Sequence, residues 1–456
     1  MIKKATQLMY NWVMEKNKPR YRGPAVPVRK EEKNMFKSLE VKKGIHWVGV
    51  HDPNLRIFDI IMYTPYGTSY NSFVVSGEEK TAVFETAKVQ FLDEYLERLT
   101  DLGIDYTKID YIIVSHTEPD HSGSVARMLE LAPEAVVCGS QSAIAFLKEM
   151  VNKPFNARVV KDNETIDLGG KTIKFISAPF LHWPDSIYSY IPEDKTLITC
   201  DSFGLHYDFE PMFDDLMTPE DQVKYDESLK SYFDIIFAPF KPHVLKAIDK
   251  IRDLDIDTVL TGHGPILRKD PWSVINRFAE WAKPEDRSGR KKKVTVSYVS
   301  AYGYTKEIAE KVVEGIRSTG DFDIVSYDVI HHDMSDIVKD IADSDGILFG
   351  SPTIVGELLE PIRILLAHLN PVVHGGKLAG AFGSYGWSGE AVPRIETRLG
   401  ELKMKIHAPG LKIRFKASEN DLKEAFNWGR GFGEKLQGTV PMDKAHVTLD
   451  ETIMVR

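Results

Sequence analysis

Short apolar runs and amphipathic stretches alternate along most of this chain, and their period tells one from the other. Residues 81–84, 111–114, 135–137, 172–176 and 196–199 are short, continuous and rich in β-branched side chains, which predicts buried strands. Apolar positions three and four apart around 91–102, 126–131 and 143–151 predict helices between them. Mixed order of this kind belongs to a layered α/β body. Beyond residue 293 the alternation is more regular. Strands are predicted at 293–299, 324–327, 346–349, 378–382 and 411–415, with helices starting near Thr305, Ser335, Glu360, Glu390 and Glu419. Five strands with helices between them predict a doubly wound parallel sheet. The segment from Lys283 to Lys293 is charged, carries Pro284 and Gly289, and reads as a solvated linker. The expected organisation is an extension over 1–35, a first domain over 36–285, a linker over 286–293, a second domain over 294–439 and a tail over 440–456.

Length and charge narrow the class. At 456 residues the chain is too long for one ordinary core. A net charge of -9 argues against nucleic acid as a partner. No apolar run follows Met1-Ile2-Lys3-Lys4 as in a signal peptide, and none approaches the roughly 20 residues of a membrane span. The two cysteines, Cys138 and Cys200, sit in strand-like segments and read as small buried hydrophobes. A rubredoxin-type or iron–sulfur centre needs about four thiolates, so such a relay has to come from another protein.

Chemistry concentrates at strand ends. Ser115-His116-Thr117-Glu118-Pro119-Asp120-His121 follows the strand 111–114 and packs imidazoles and carboxylates that a cation would neutralise. His182, Asp201 and His263 recur later in one context, an apolar run, then the ligand type, then a Gly or Pro turn. Asp185, after Pro184, reads either as a support for an imidazole or as a turn residue. In the second half, three hydroxyl- and Gly-rich loops end strands: Ser300-Ala301-Tyr302-Gly303-Tyr304-Thr305, Ser351-Pro352-Thr353-Ile354-Val355-Gly356 and Ser384-Tyr385-Gly386-Trp387-Ser388-Gly389. The first suits a phosphate at a helix N-terminus, although capping by Thr305 explains it as well. A Gly-x-Gly-x-x-Gly fingerprint is missing after these strands, which argues against direct NAD(P)H binding.

The His-x-Glu-x-Asp-His run with His182, Asp201 and His263 resembles the metallo-β-lactamase-like fold in its flavodiiron branch, over roughly residues 36–437. The resemblance implies an N-terminal αββα sandwich and a C-terminal flavodoxin-like domain. Hydrolases of that fold carry His-x-His-x-Asp-His and bind zinc. Here Glu118 stands at the second histidine, and added carboxylate suits iron. By resemblance, one iron takes His116, Glu118, His182 and Asp201, and the other takes Asp120, His121, Asp201 and His263. Asp201 bridges them. His51 and Tyr70 fall in segments resembling those that line the family's substrate pocket. The three later loops resemble the phosphate and isoalloxazine loops of FMN-binding flavodoxins, with Tyr385 and Trp387 offering ring surface. Val355 departs from the family's usual Asn, which removes a polar contact to the ring.

The resemblance implies reduction of dioxygen to water, of nitric oxide to nitrous oxide, or both. FMN and two irons together hold the four electrons that dioxygen needs. Further implied are a head-to-tail homodimer or a dimer of dimers, an anaerobe's cytoplasm, and an external donor, rubredoxin or else a reduced deazaflavin. The rivals are a zinc hydrolase tethered to a flavodoxin domain and a carrier or gas-sensing module without turnover.

Overall fold

The computed structural model describes residues 36–59, 62–284 and 289–439. The expected extension over 1–35 and tail over 440–456 lie outside the described residues, as does the 285–288 stretch around the linker. Two sheets stack face to face in the first half. A seven-stranded sheet runs, in spatial order, Leu39–Lys42, Ile45–Trp47, Phe73–Ser76, Thr81–Phe84, Tyr111–Ile113, Val136–Gly139 and Ala157–Val159. The second has Thr165–Asp167, Thr172–Ser177, Ile187–Ile191, Thr196–Cys200 and Thr258–Thr261, antiparallel until its last, parallel pair.

Alternation along each strand sorts side chains between layers, because successive residues point to opposite faces. Phe73, Phe84 and Ile113 meet Phe175, Ile198 and Leu260 between the sheets. Their neighbours Val74, Val83 and Ile112 turn outward onto Tyr95, Leu99, Val125 and Leu147 of the helices Leu92–Asp101, Val125–Leu131 and Gln141–Val151. On the far side, Tyr188, Leu197 and Val259 meet Leu229, Val244, Ile248 and Phe278 of the helices Pro219–Tyr232, Lys241–Ile251 and Pro271–Ala282. The result is the αββα sandwich. The last three helices escaped the sequence reading, although their starts carry signals. Thr218 and Asp221 form a capping box with Pro219 at the first helical position, and Asp270-Pro271 repeats the start.

In the second half the main strands, all parallel, are ordered Asp323–Asp328, Lys293–Tyr298, Gly346–Gly350, Leu378–Tyr385 and Leu411–Arg414, which is the 2-1-3-4-5 order of flavodoxin. Helices Tyr304–Arg317 and Glu419–Gln437 cover one face. Helices Met334–Asp343, Glu360–Ala367 and Ala391–Glu401 cover the other. Small additions widen this sheet beyond the five expected strands. Lys405–Ile406 pairs on one side, and Thr353–Ile354 with Glu357–Leu358 makes a hairpin inside the second expected loop.

That hairpin turns on Val355 (φ +56°) and Gly356 (φ +68°), a two-residue turn with both angles positive, where Asn-Gly is the preferred pair. A β-branched residue held left-handed costs about 1–2 kcal/mol, and Val355 is 82% exposed, so burial does not offset it. Val355→Asn should therefore raise the stability of the FMN-free protein by about 1 kcal/mol, read as a higher urea midpoint. A lower midpoint would refute the strain argument. Among the described residues no helix is long and apolar enough to cross a membrane.

Candidate metal centre and flavin cleft

The ligand-type residues meet at one end of the sandwich, on loops leaving strand ends. Strand Thr196–Cys200 stops in a register shift with Cys200 at φ +50°, and this kink turns Asp201 out of the pleat. Asp201 then divides its carboxylate. Its Oδ2 lies 3.0 Å from His182 Nε2 and 3.6 Å from His116 Nε2. Its Oδ1 lies 2.9 Å from His121 Nε2 and 3.6 Å from His263 Nε2. Glu118 Oε2 closes the first group, 3.0 Å from His182 Nε2 and 3.4 Å from His116 Nε2. Asp120 Oδ2 closes the second, 3.1 Å from His263 Nε2 and 3.4 Å from His121 Nε2. Two donors about 2.1 Å from one cation and at right angles lie about 3 Å apart, so these spacings are those of two neighbouring ligand sets. Asp120 has no aligned hydrogen bond on either oxygen despite the nearby nitrogens. Lone pairs converging on a common point produce that pattern.

The outer contacts fix each ligand. His263 Nδ1 donates to the Ser69 carbonyl at 2.7 Å, which leaves Nε2 as a bare lone pair facing the centre. Asn71 Nδ2 donates to the carbonyls of Thr261 and Gly264, and Trp47 Nε1 in turn donates to Asn71. Glu85 accepts from the Ser115 N–H at 2.8 Å. Asp185 accepts from the Thr117 N–H and hydroxyl at 2.9 and 2.7 Å, so it braces the ligand loop rather than an imidazole. Cys200 Sγ is 3.3 Å from His116 Nδ1, a contact its reading as a small hydrophobe did not contain. Burial holds that thiol well above its usual range.

Charge is balanced inside the cluster. Burial opposes ionisation of Asp201, but His116, His121 and His263 together hold its carboxyl well below the usual range. Burial likewise opposes the His182 imidazolium, yet its hydrogen bonds to the Asp201 and Glu118 carboxylates push it up to about 10.

His51 and Tyr70 are placed differently from each other. The Tyr70 ring stands edge-on 5.8 Å from the His263 ring, while His51 Nδ1 pairs with Asp208 Oδ1 at 2.6 Å. Three further residues stand beside the ligands without having been singled out. His206 lies 4.6 Å and Tyr232 6.4 Å from His263 between ring centroids. Asp59 sits against Glu118, where burial and a hydrogen bond to that carboxylate push it up to about 6. Neither Tyr232 nor Asp59 has a sequence signal. His206 follows Asp201 by five residues and was open to detection.

The flavin-type loops converge as well. Tyr302, Tyr304, Pro352, Thr353, Ile354, Val355, Ser384, Tyr385, Gly386, Trp387 and Phe415 line one cleft. Tyr302 (81%), Val355 (82%) and Trp387 (80%) are among the most exposed large apolar residues described, and their gathering there marks a ligand surface. Gly303 (φ +83°) starts the helix Tyr304–Arg317, Ser300 Oγ accepts from the Lys306 N–H at 3.3 Å, and Ala301 is exposed beside them. Thr305 and Ser384 share a buried hydrogen bond of 2.9 Å that ties the first loop to the third. Ser351 and Ser388 are engaged elsewhere, Ser351 accepting from the Leu359 N–H and Ser388 donating to Glu390. Gly389 takes φ +81° with the Tyr385 ring beside it.

A paired-carboxylate metal centre and a flavodoxin cleft on one chain define a flavin-dependent metalloprotein of metallo-β-lactamase-like fold. Comparison with known proteins agrees. ODP family β-lactamase matches residues 68–264 and flavodoxin matches 296–429. A flavo-diiron protein of Clostridium acetobutylicum is 42% identical over 402 residues, covering 88% of this chain and all of that one. A nitric oxide reductase of Moorella thermoacetica is 33% identical, with 88% of this chain and all of that one covered. Among solved structures, the flavodiiron protein of Giardia intestinalis is 30% identical with a TM-score of 0.59, over 88% of this chain and 97% of that one. Rubredoxin:oxygen oxidoreductase of Desulfovibrio gigas is 27% identical with a TM-score of 0.61, over 89% of this chain and 100% of that one. The chain belongs to the flavo-diiron protein family, whose cofactors are a non-haem di-iron centre and FMN.

Proposed function

We propose that the protein reduces dioxygen to water, nitric oxide to nitrous oxide, or both, with electrons entering through FMN from an external redox protein. The observation that carries this reading is Asp201, whose two oxygens serve two ligand groups at once. One iron is assigned to His116, Glu118, His182 and Asp201, and the other to Asp120, His121 and His263 with the second oxygen of Asp201. Hard carboxylates and borderline imidazoles in equal measure fit iron. When bound, the iron pair supplies two electrons and open positions for a diatomic gas, and FMN supplies two more electrons.

The chain's own residues hold that chemistry in place. Asp185 and Glu85 hold the 115–121 loop and Asn71 holds the 261–264 loop, so much of the coordination is organised before metal arrives. Tyr70, Tyr232 and His206 wall the side of His263 and pack its ring in place. Rubredoxin is the donor we favour over a reduced deazaflavin. Support comes from the two-cysteine count and from the relatives named flavorubredoxin and rubredoxin:oxygen oxidoreductase. A head-to-tail homodimer in the cytoplasm of an anaerobe completes the reading. The zinc hydrolase is disfavoured by Glu118, which replaces a zinc-type histidine, and by the flavin cleft, for which hydrolysis has no use.

Elemental analysis and visible absorption of protein purified without oxygen should give about two irons and one FMN per chain. Feeding either gas with reduced rubredoxin should then give turnover. Zinc without flavin, or no turnover of either gas, would overturn the proposal.

A further inference from the structure

A cavity of about 230 Å³ lies between the helix Pro219–Tyr232 and the segment 62–66. His206 and Tyr232 line it, and both also stand beside His263. Away from the centre, Tyr66 Oη, another lining group, donates to the exposed Glu227 at 3.1 Å. Three buried polar atoms of the lining residues, Thr64 Oγ1, Ser228 Oγ and His206 Nε2, have no hydrogen-bond partner among the described residues. The other nitrogen of His206 is engaged with Thr68 Oγ1 at 2.8 Å. Unpaired buried polar atoms are unfavourable, so three on residues around one cavity of this size call for ordered water.

The reductase reading gives such water a task. Dioxygen consumes four protons with its four electrons to give two waters. Two nitric oxides consume two protons and two electrons to give nitrous oxide and one water. Three of the four ligand imidazoles, His116, His121 and His263, are at most 1% exposed, while the His182 side chain keeps 15%, so the His263 side of the centre is the one closed to solvent. Protons bound for that side therefore need a hydrogen-bonded route.

We propose that this cavity is the proton conduit of the centre, a water chain from Glu227 and Tyr66 at the surface, past Ser228 and Thr64, to His206 and Tyr232. It rests on the reductase reading. Electrons arrive by way of the flavin, and the conduit carries only protons inward and product water outward.

Two variants test it. Thr64→Val keeps the shape and removes a hydroxyl, and Ser228→Leu fills the cavity. Both should keep native iron and FMN content and native flavin reduction by the donor. Turnover of gas should fall about tenfold or more at unchanged KM, with a larger solvent deuterium isotope effect on kcat. Crystal structures should show waters bridging Thr64, Ser228 and His206 in the native protein and their loss in Ser228→Leu. Should the leucine variant fold poorly, Ser228→Ala gives the isotope-effect reading without added bulk. A dry native cavity, or variants with native rates and isotope effects, would overturn the conduit alone. A raised KM at native kcat would overturn it in favour of gas entry. Native protein that reduces neither gas overturns the reductase reading itself.

Discussion

Asp201→Ala will release both irons and leave FMN bound. Other ligands serve one group each, so His263→Ala should weaken one iron while the first group, around His182, stays complete. Asp201 alone reaches both groups, Oδ2 toward His182 and Oδ1 toward His121. Its removal takes a ligand from each iron and one of the charges that balance two cations. Iron below about half an ion per chain, with the flavin spectrum intact, is the expected result. Retention of one full iron would mean that the carboxylate does not bridge.

The same cluster sets the pH dependence of the metal-free protein. His182 is raised from 6.5 to about 10, so its contribution to stability is complete below about 6.5 and is lost as pH rises through about 10. Asp201 is depressed below 3.8, so its contribution is present above about 4 and is lost as pH falls further. Iron must displace the His182 proton. Uptake should therefore weaken as pH falls below 10 and should release protons, measurable by calorimetry in buffers of different ionisation enthalpy.

The second large effect is in the flavodoxin domain and has a sign that helix propensity alone gets wrong. Gly429 lies inside the helix Glu419–Gln437, where alanine should gain up to about 1 kcal/mol. In the fold a Cβ at Gly429 would sit 2.1 Å from the Val312 carbonyl oxygen, and one at Gly315 would sit 2.0 Å from that of Phe426. The helices Tyr304–Arg317 and Glu419–Gln437 touch backbone to backbone at these glycines, and no flexible side chain is there to yield. Gly429→Ala should cost on the order of 3 kcal/mol, seen as a lower urea midpoint for the flavin-binding part. Because Tyr304–Arg317 also begins at the phosphate-type loop, FMN occupancy should fall with it. An unchanged or higher midpoint would show that the two helices can separate at little cost.

Legibility in the sequence followed the range of the interactions. The strand 81–84 and the helix starts near Thr305 and Glu419 were readable because periodicity and capping are local. The helices Pro219–Tyr232 and Pro271–Ala282 were readable in principle from their Pro-containing caps. The hairpin at Val355-Gly356 was not. Valine argues against a left-handed turn, and only its surroundings impose one. Asp185 reads from sequence as an imidazole support or a turn residue, and its actual partner, the Thr117 N–H, depended on where Thr117 lay.

By itself the sequence determined the two α/β bodies and the set of ligand types, because both are written in residue identity and short spacing. It also set the limit of two thiols, short of the roughly four that a rubredoxin-type centre needs. Only the tertiary structure decided that Asp201 divides between two groups, that Cys200 meets His116, and that Thr64, Ser228 and His206 share one cavity. Those pairings join residues from 19 to 164 positions apart, whose distances are set by how the two sheets and their helices pack, and no local pattern along the chain encodes them.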